Sequence, residues 1–218
     1  IAESQMLKQT EDIVHMSLDF LPLKSYTNIA EGNALSIDWE EIVPKHKLNY
    51  IMGNPPFVGA RLMSQQQKND LLKVFGEGWK NAGNLDYVAC WYKKGTAIRT
   101  ALVSTNSVSQ GEQVANLWKP LFEEGVHIDF AHRTFRWDSE ATLKAHVHCV
   151  IIGFSIAPST KAKALFYGDR EQVVKNINAY LVEADNVFVE SRNKPLCSVP
   201  EIGIGNKPID GGNYLFTE

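Results

Sequence analysis

Two consecutive prolines directly after an apolar run constrain this chain more than any other feature. Residues 48–53 (LNYIMG) have the composition of a buried β-strand, and Asn54-Pro55-Pro56-Phe57 follows at once. Proline has no N–H to give to a sheet ladder and its ring fixes φ, so a strand cannot run on through such a pair. The strand therefore ends near Gly53 and passes into a stiff loop. In open α/β sheets, the carboxyl ends of strands are where ligands bind.

The surrounding pattern alternates. Residues 1–20 read as a helix carrying Met6, Ile13, Val14 and Leu18, and residues 26–29 as a short strand running into Glu31-Gly32-Asn33-Ala34-Leu35. Ser64 with Gln67 three residues later is a capping box that opens a helix to about Phe75. A loop with Gly76, Gly78 and Gly83 follows, and Asp86 is placed to cap a helix through Val88, Ala89, Trp91 and Tyr92. Residues 100–103 form an apolar strand leading to Ser104-Thr105-Asn106-Ser107. Val114, Leu117, Trp118, Leu121 and Phe122 share one helical face, in a helix interrupted at Pro120 and stopped near Gly125. Residues 128–131 and 147–154 are two further strands with no helical segment between them, as in an antiparallel, hairpin-like pair. Alternating strands and helices predict an α/β layered sheet. After Ala157 the texture shifts to short strands and turns, then to Pro195, Pro200, Gly203, Gly205, Pro208, Gly211 and Gly212. Residues 1–160 thus read as one domain, and 161–218 as the start of a second, turn-rich one.

Composition narrows the classes. The chain has 218 residues, 44% hydrophobic and 22% charged, enough for a sizeable core. Its net charge of -3 is unlike that of a stand-alone DNA-binding module, which is usually basic, so any DNA-gripping part is expected elsewhere in a longer protein. The start at Ile1 and the end at Glu218 also read as those of a fragment. Cys90, Cys149 and Cys197 are too few and too irregularly spaced for a disulfide framework, and read as buried free thiols of a cytoplasmic protein. No apolar run approaches the ~18 residues that span a bilayer. His146 and His148 share one face of a strand, but no third ligand has suitable spacing, so no metal is expected.

The tetrapeptide suits attack by an aromatic exocyclic amine. Such a nitrogen is a poor nucleophile because its lone pair is delocalised into the ring. Acceptors on its two N–H bonds favour the tetrahedral geometry and the positive charge that develop during attack on a methyl sulfonium. The Asn54 side chain offers one acceptor and the backbone carbonyl of Pro55 the other. The two prolines hold that carbonyl rigidly and offer no competing N–H. Phe57 can stack on a base that has left the helix. The plain alternative is a proline turn with Phe57 filling core.

The run Gly32-Asn33-Ala34-Leu35, Ile37-Asp38-Trp39 and Gly53-Asn54-Pro55-Pro56-Phe57-Val58-Gly59 resembles the gamma-order N6-adenine DNA methyltransferases. Within that group it is most similar to single-chain Type IIG/IIL restriction-modification enzymes. The similarity continues through Leu85-Asp86-Tyr87-Val88-Ala89, residues 104–113, residues 130–137 and residues 146–154. It covers residues 1–160, and more weakly 192–213, which is similar to the start of a target-recognition region.

This resemblance implies a Rossmann-like class I methyltransferase sheet with S-adenosylmethionine as methyl donor. It implies that Asn33, beside Ala34, stands where an acidic residue often holds the cofactor's adenine amine. It implies that Asp86 and Tyr87, with Trp91, lie on the cofactor side of the cleft. Phe135 is expected as the second aromatic wall of a flipped-base pocket, with Trp137 as its rival. The family's Phe-x-Gly-x-Gly loop and ribose-gripping acid have no match: Gly76-Glu77-Gly78 follows a helix, and Gly203-Ile204-Gly205 lies in the turn-rich tail. The sheet is accordingly expected to be partial, with that strand upstream of Ile1. Arg61, Lys68, Arg133, Arg136 and Lys144 are candidates for phosphate contacts or for ordinary solvated surface.

The function expected is transfer of a methyl group from S-adenosylmethionine to adenine N6 in double-stranded DNA, within a restriction-modification enzyme. One alternative keeps the chemistry and changes the acceptor to a protein glutamine or an RNA amine. The other is a non-catalytic DNA-binding or specificity module with a degenerate methylase fold.

Overall fold

A computed structural model describes residues 29–137, 147–156, 161–192 and 194–199. The expected helix over 1–20, residues 26–28 of the expected first strand, and Lys144 and His146 lie outside the described residues. Ile29, the last residue of that expected strand, is in irregular backbone. The chain divides into two compact units, Ile1–Leu48 and Asn49–Glu218, taken here in turn.

The described part of the first unit is a turn followed by one helical turn. The Asn33 side-chain oxygen accepts from the Leu35 N–H at 3.0 Å, and its backbone carbonyl accepts from Ser36 and Ile37. Asp38 caps α1 (Trp39–Ile42) by accepting from the Glu40 N–H at 3.0 Å. The Trp39 indole N–H donates to the Ala34 carbonyl at 2.7 Å and closes the turn against the helix.

In the second unit a six-stranded sheet carries the fold. Its strands are β1 (Tyr50–Gly53), β2 (Arg99–Thr105), β3 (His127–Trp137), β4 (Val147–Ser155), β5 (Lys163–Tyr167) and β6 (Arg170–Val174), in the order β1-β2-β4-β3-β5-β6. β1 pairs parallel to β2, β4 is antiparallel to both β2 and β3, and β5 is parallel to β3. The directions of β1, β2 and β3 therefore agree, and their carboxyl ends lie along one edge of the sheet. This is the α/β, Rossmann-like arrangement expected of a class I methyltransferase.

The helices are α2 (Gln65–Phe75), α3 (Ala89–Gly95), α4 (Gly111–Gln113) and α5 (Lys119–Glu123). α2 opens on the expected capping box: the Ser64 hydroxyl accepts from the Gln67 N–H, and the Gln67 side chain accepts from the Ser64 N–H. It ends at Gly76 with φ 72°, so the first glycine pair is a helix stop. α4 runs through a π-helical stretch (Val114–Trp118) into α5. Pro120 has no N–H for the Asn116 carbonyl one turn back, and the Trp79 indole donates there instead at 2.8 Å. The irregular stretch thus precedes Pro120, where the sequence placed the interruption at the proline itself.

On β2, residues alternate strictly, with Thr100, Leu102 and Ser104 buried. Thr100 lies under α3, where a Cβ on Gly95 would stand 2.9 Å from its methyl group, so the close approach requires glycine. Tyr92 stacks on Phe154 at 5.2 Å and meets Trp118 edge-on at 5.3 Å. Their polar atoms are satisfied, with the Tyr92 hydroxyl on Ser104 at 2.8 Å and the Trp118 N–H on the Val108 carbonyl at 2.8 Å. This aromatic cluster fastens the helices to the middle of the sheet.

Three further sequence expectations change. β3 runs on to Trp137, with register shifts against β4 on both sides of Ala131. Strands β5 and β6 do not stand apart beyond residue 160; they extend the same sheet. Of the thiols, Cys90 and Cys149 are buried, whereas Cys197 is exposed. Burial pushes the Cys90 thiol up to about 12, which leaves it protonated and inert.

Candidate active site

The end of β1 is where the sequence required it. Gly53 pairs with Leu102 of β2, and the chain then leaves the sheet through Asn54-Pro55-Pro56-Phe57. Asn54 and Pro56 are exposed, Pro55 is buried, and Phe57 is half-buried. The buried proline anchors the loop between two residues that face solvent. An exposed amide and a half-covered ring on one short loop can meet a planar, polar-edged group arriving from outside.

The loop is fixed on its far side as well. The Tyr87 N–H donates to the Val58 carbonyl at 2.9 Å, and one Asp86 carboxylate oxygen accepts from the Ala60 N–H at 3.0 Å. The other Asp86 oxygen accepts from the Ser107 hydroxyl at 2.5 Å, and that hydroxyl is 2.6 Å from the one on Thr105, the last residue of β2. The Gln113 amide completes the cluster, accepting from the Asp86 N–H at 3.1 Å and donating to the Asn84 carbonyl at 2.9 Å. Its N–H also reaches Asp86 Oδ1 at 3.3 Å. Carboxylate-assisted bonds of this kind are about twice as strong as neutral ones.

Asp86 therefore does not cap α3 with its side chain, as the sequence suggested; the cap position is Val88, and Asp86 reaches residues 26 and 21 positions away. Tyr87 is turned inward, only 6% exposed. Its hydroxyl donates to Asp70 of α2 at 3.0 Å and its ring meets Trp91 edge-on at 5.3 Å. Burial, reinforced by Asp70, pushes the Tyr87 phenol up to about 12.

The third contribution to this edge comes from the end of β3. Phe135 pairs with Cys149, which pairs with Thr105, so Phe135 and Thr105 share a row across three adjacent strands. At ~4.8 Å per strand they are about 10 Å apart. Phe135 is half-buried and Trp137 is 46% exposed, with ring centroids 6.2 Å apart. Arg133 holds its guanidinium 5.0 Å from the centre of the Tyr167 ring on β5, a cation–π contact. The loop after β1, Thr105–Ser107 after β2 and Phe135–Trp137 at the end of β3 thus lie along one sheet edge. Arg61, Lys68 and Arg136 are exposed. Asn33, half-buried, and Ala34, exposed, belong to the first unit.

Elsewhere, a cavity of about 540 Å³ lined by Trp79, Asn116, Lys119 and Glu190 contains none of the expected site residues. Among the described residues, no three His, Cys, Asp or Glu side chains gather as a metal site, and no helix is long and apolar enough to cross a membrane. Sequence reasoning missed Ser107, Gln113 and the Ala60 N–H, although Ser107 and Gln113 fall within a stretch that carries the resemblance.

A family model for the MmeI DNA-methyltransferase domain matches residues 1–167. The chain belongs to that family. Across its whole length it is 39% identical to DNA methyltransferase A of Bacillus subtilis (strain 168), of which it covers 26%. The structure of the Type IIL restriction-modification enzyme MmeI in complex with DNA matches 98% of the chain at a TM-score of 0.84 and 43% identity. The chain covers 30% of that MmeI structure, so it corresponds to under a third of either relative.

Proposed function

We propose that this chain forms the base-methylating part of a restriction-modification enzyme that methylates adenine N6 in double-stranded DNA. The observation that carries the reading is the exposed Asn54 amide, held between a sheet strand on one side and the Val58 and Ala60 anchors on the other. The names of the relatives support DNA as the acceptor, since one is a DNA methyltransferase and the other was solved with DNA bound.

In this reading Phe57 stacks on the flipped adenine, and Phe135 or Trp137 forms a second aromatic wall. Asn54 Oδ1 and the Pro55 carbonyl accept from the two N–H bonds of the amine, turning its lone pair out of conjugation. The loop that carries both acceptors is bonded at its two ends and stiffened by its prolines, so little backbone reorganisation accompanies the developing charge. The amine loses its proton after transfer, and no general base is required. Arg133, with Arg61, Lys68 and Arg136, meets backbone phosphates.

S-adenosylmethionine, when bound, supplies the electrophilic methyl group. The Asn33 turn is the candidate for the edge of its adenine: the side-chain oxygen accepts from the Leu35 N–H at 3.0 Å and has a second lone pair for the cofactor's amine. No metal enters this chemistry. We assign the methyltransferase part to the sheet through β6 and the start of target recognition to the chain beyond it. In this reading the protein works where the cell's DNA lies, in the cytoplasm.

The test is Asn54→Ala in the full-length enzyme. Single-turnover methylation is expected to fall by about 100-fold or more, as for loss of one charge-stabilising contact. DNA affinity stays near wild type, because the acceptor acts chiefly in the transition state. A near wild-type rate would return the tetrapeptide to a structural turn.

A further inference from the structure

The Asp86 carboxylate lies at the centre of a hydrogen-bonded cluster that the chemistry proposed above does not use. It spans three segments: the loop after β1 through the Ala60 N–H, the end of β2 through Ser107 and Thr105, and α4 through Gln113. Each carboxylate oxygen has a hydrogen-bond partner within 3.0 Å, one at 3.0 Å and the other at 2.5 Å. The tetrapeptide Asn54-Pro55-Pro56-Phe57 is bounded by Gly53, fixed in the sheet, and by Val58 and Ala60, fixed by the backbone of Tyr87 and the side chain of Asp86. A Cβ at Gly59 would stand 3.7 Å from Asp86 Oδ1, so the loop also packs against this carboxylate. Residue 86 is thus the point from which the far end of the loop is indexed to the strand beside it.

Resting on the reading above, we propose that Asp86 is a positioning residue for methyl transfer. It sets the Asn54 and Pro55 acceptors relative to the end of β2, rather than holding the methyl donor. Two observations favour this role over a grip on the donor. Its oxygens are engaged by the loop and by Ser107, and its own N–H is held by Gln113. Tyr87, its neighbour, directs its side chain into the core towards α2 and only its backbone towards the loop. The pair therefore acts on the tetrapeptide from both main chain and side chain. A displacement of acceptors by about 1 Å lowers rates by about 100-fold without touching the reactants.

The experiment uses the full-length enzyme and compares wild type with Asp86→Ala, Asp86→Asn and Ser107→Ala. Asn54→Ala runs in parallel. The readouts are single-turnover methylation of duplex DNA with both substrates saturating, S-adenosylmethionine affinity by calorimetry, and thermal unfolding. Asp86→Ala is expected to lose about 10–100-fold in saturated rate, with S-adenosylmethionine affinity within about twofold of wild type. Asp86→Asn keeps an acceptor for the Ala60 N–H, so it recovers part of that rate; Ser107→Ala falls between it and wild type. A purely structural role would lower the unfolding temperature and leave the rate per folded enzyme unchanged, which overturns the proposal. A donor-binding role would weaken S-adenosylmethionine about tenfold and restore the rate at saturation, which also overturns it. If Asp86→Ala does not fold, the rate and affinity of Asp86→Asn and Ser107→Ala decide by the same criteria. If wild type methylates adenine and Asn54→Ala does not, an Asp86 series at wild-type rate refutes positioning alone. If wild type leaves adenine unmodified, the underlying assignment fails instead.

Discussion

Removing the Tyr87 hydroxyl tests whether that side chain serves the core or the cleft. In Tyr87→Phe the ring stays, with its edge contact to Trp91, and the backbone N–H still reaches the Val58 carbonyl. What is lost is the 3.0 Å bond to Asp70, whose side chain is 6% exposed. A hydrogen bond to a carboxylate contributes about 1.5–3 kcal/mol. For a chain of this size that corresponds to a drop of about 3–12 °C in unfolding midpoint. The pH dependence has a definite sign. The folded phenol is held at about 12 against an ordinary value of 10.0, chiefly by burial, so the native state keeps its proton longer than the unfolded state. Wild type should therefore hold this contribution below pH 10 and lose it as pH rises towards 12, whereas Tyr87→Phe should show no such loss from this position. Thermal melts of both proteins across that range, with S-adenosylmethionine calorimetry at neutral pH, provide the assay. Equal midpoints for the two proteins, or weaker binding of S-adenosylmethionine at unchanged stability, would refute the core role.

Other substitutions probe the sheet and the pocket. A Cβ at Gly153 would fall 2.1 Å from the Phe130 ring of the paired strand, so Gly153→Ala should destabilise by about 1–3 kcal/mol in chemical denaturation. Adding Phe130→Leu should recover part of that loss; additive losses would mean that the ring is not the obstacle. Phe57→Ala in the full-length enzyme should slow methylation less than Asn54→Ala does and be partly rescued when the target adenine faces a mismatch, because flipping is then easier. Absence of rescue in a mismatch series would remove Phe57 from base capture.

The local signals in the sequence carried a good part of this fold. A proline pair after an apolar run ends β1 at Gly53, and Ser64 with Gln67 opens α2, because each is decided within a few residues by backbone chemistry. Long-range pairing was less legible. Asp86 before a helix has the appearance of a cap, yet its carboxylate is drawn to Ala60 and Ser107, which come close only once β1 and β2 are side by side. Strands β5 and β6 read as the opening of a new domain because the texture after Ala157 shifts to short strands and turns; only pairing shows that they extend the sheet. The Asn116 carbonyl, which Pro120 cannot serve, is met by Trp79, 37 residues away. At the candidate site the acceptor loop was readable from four residues, whereas its anchoring through Ser107 and Gln113 required the folded chain.

The most direct measurement is the identity of the methylated nucleoside. Full-length enzyme is incubated with labelled S-adenosylmethionine and duplex DNA, and the DNA is digested to nucleosides and separated. Label in N6-methyladenine, lost in Asn54→Ala, is the result expected. Label confined to N4-methylcytosine, or recovered only in protein, would contradict the assignment.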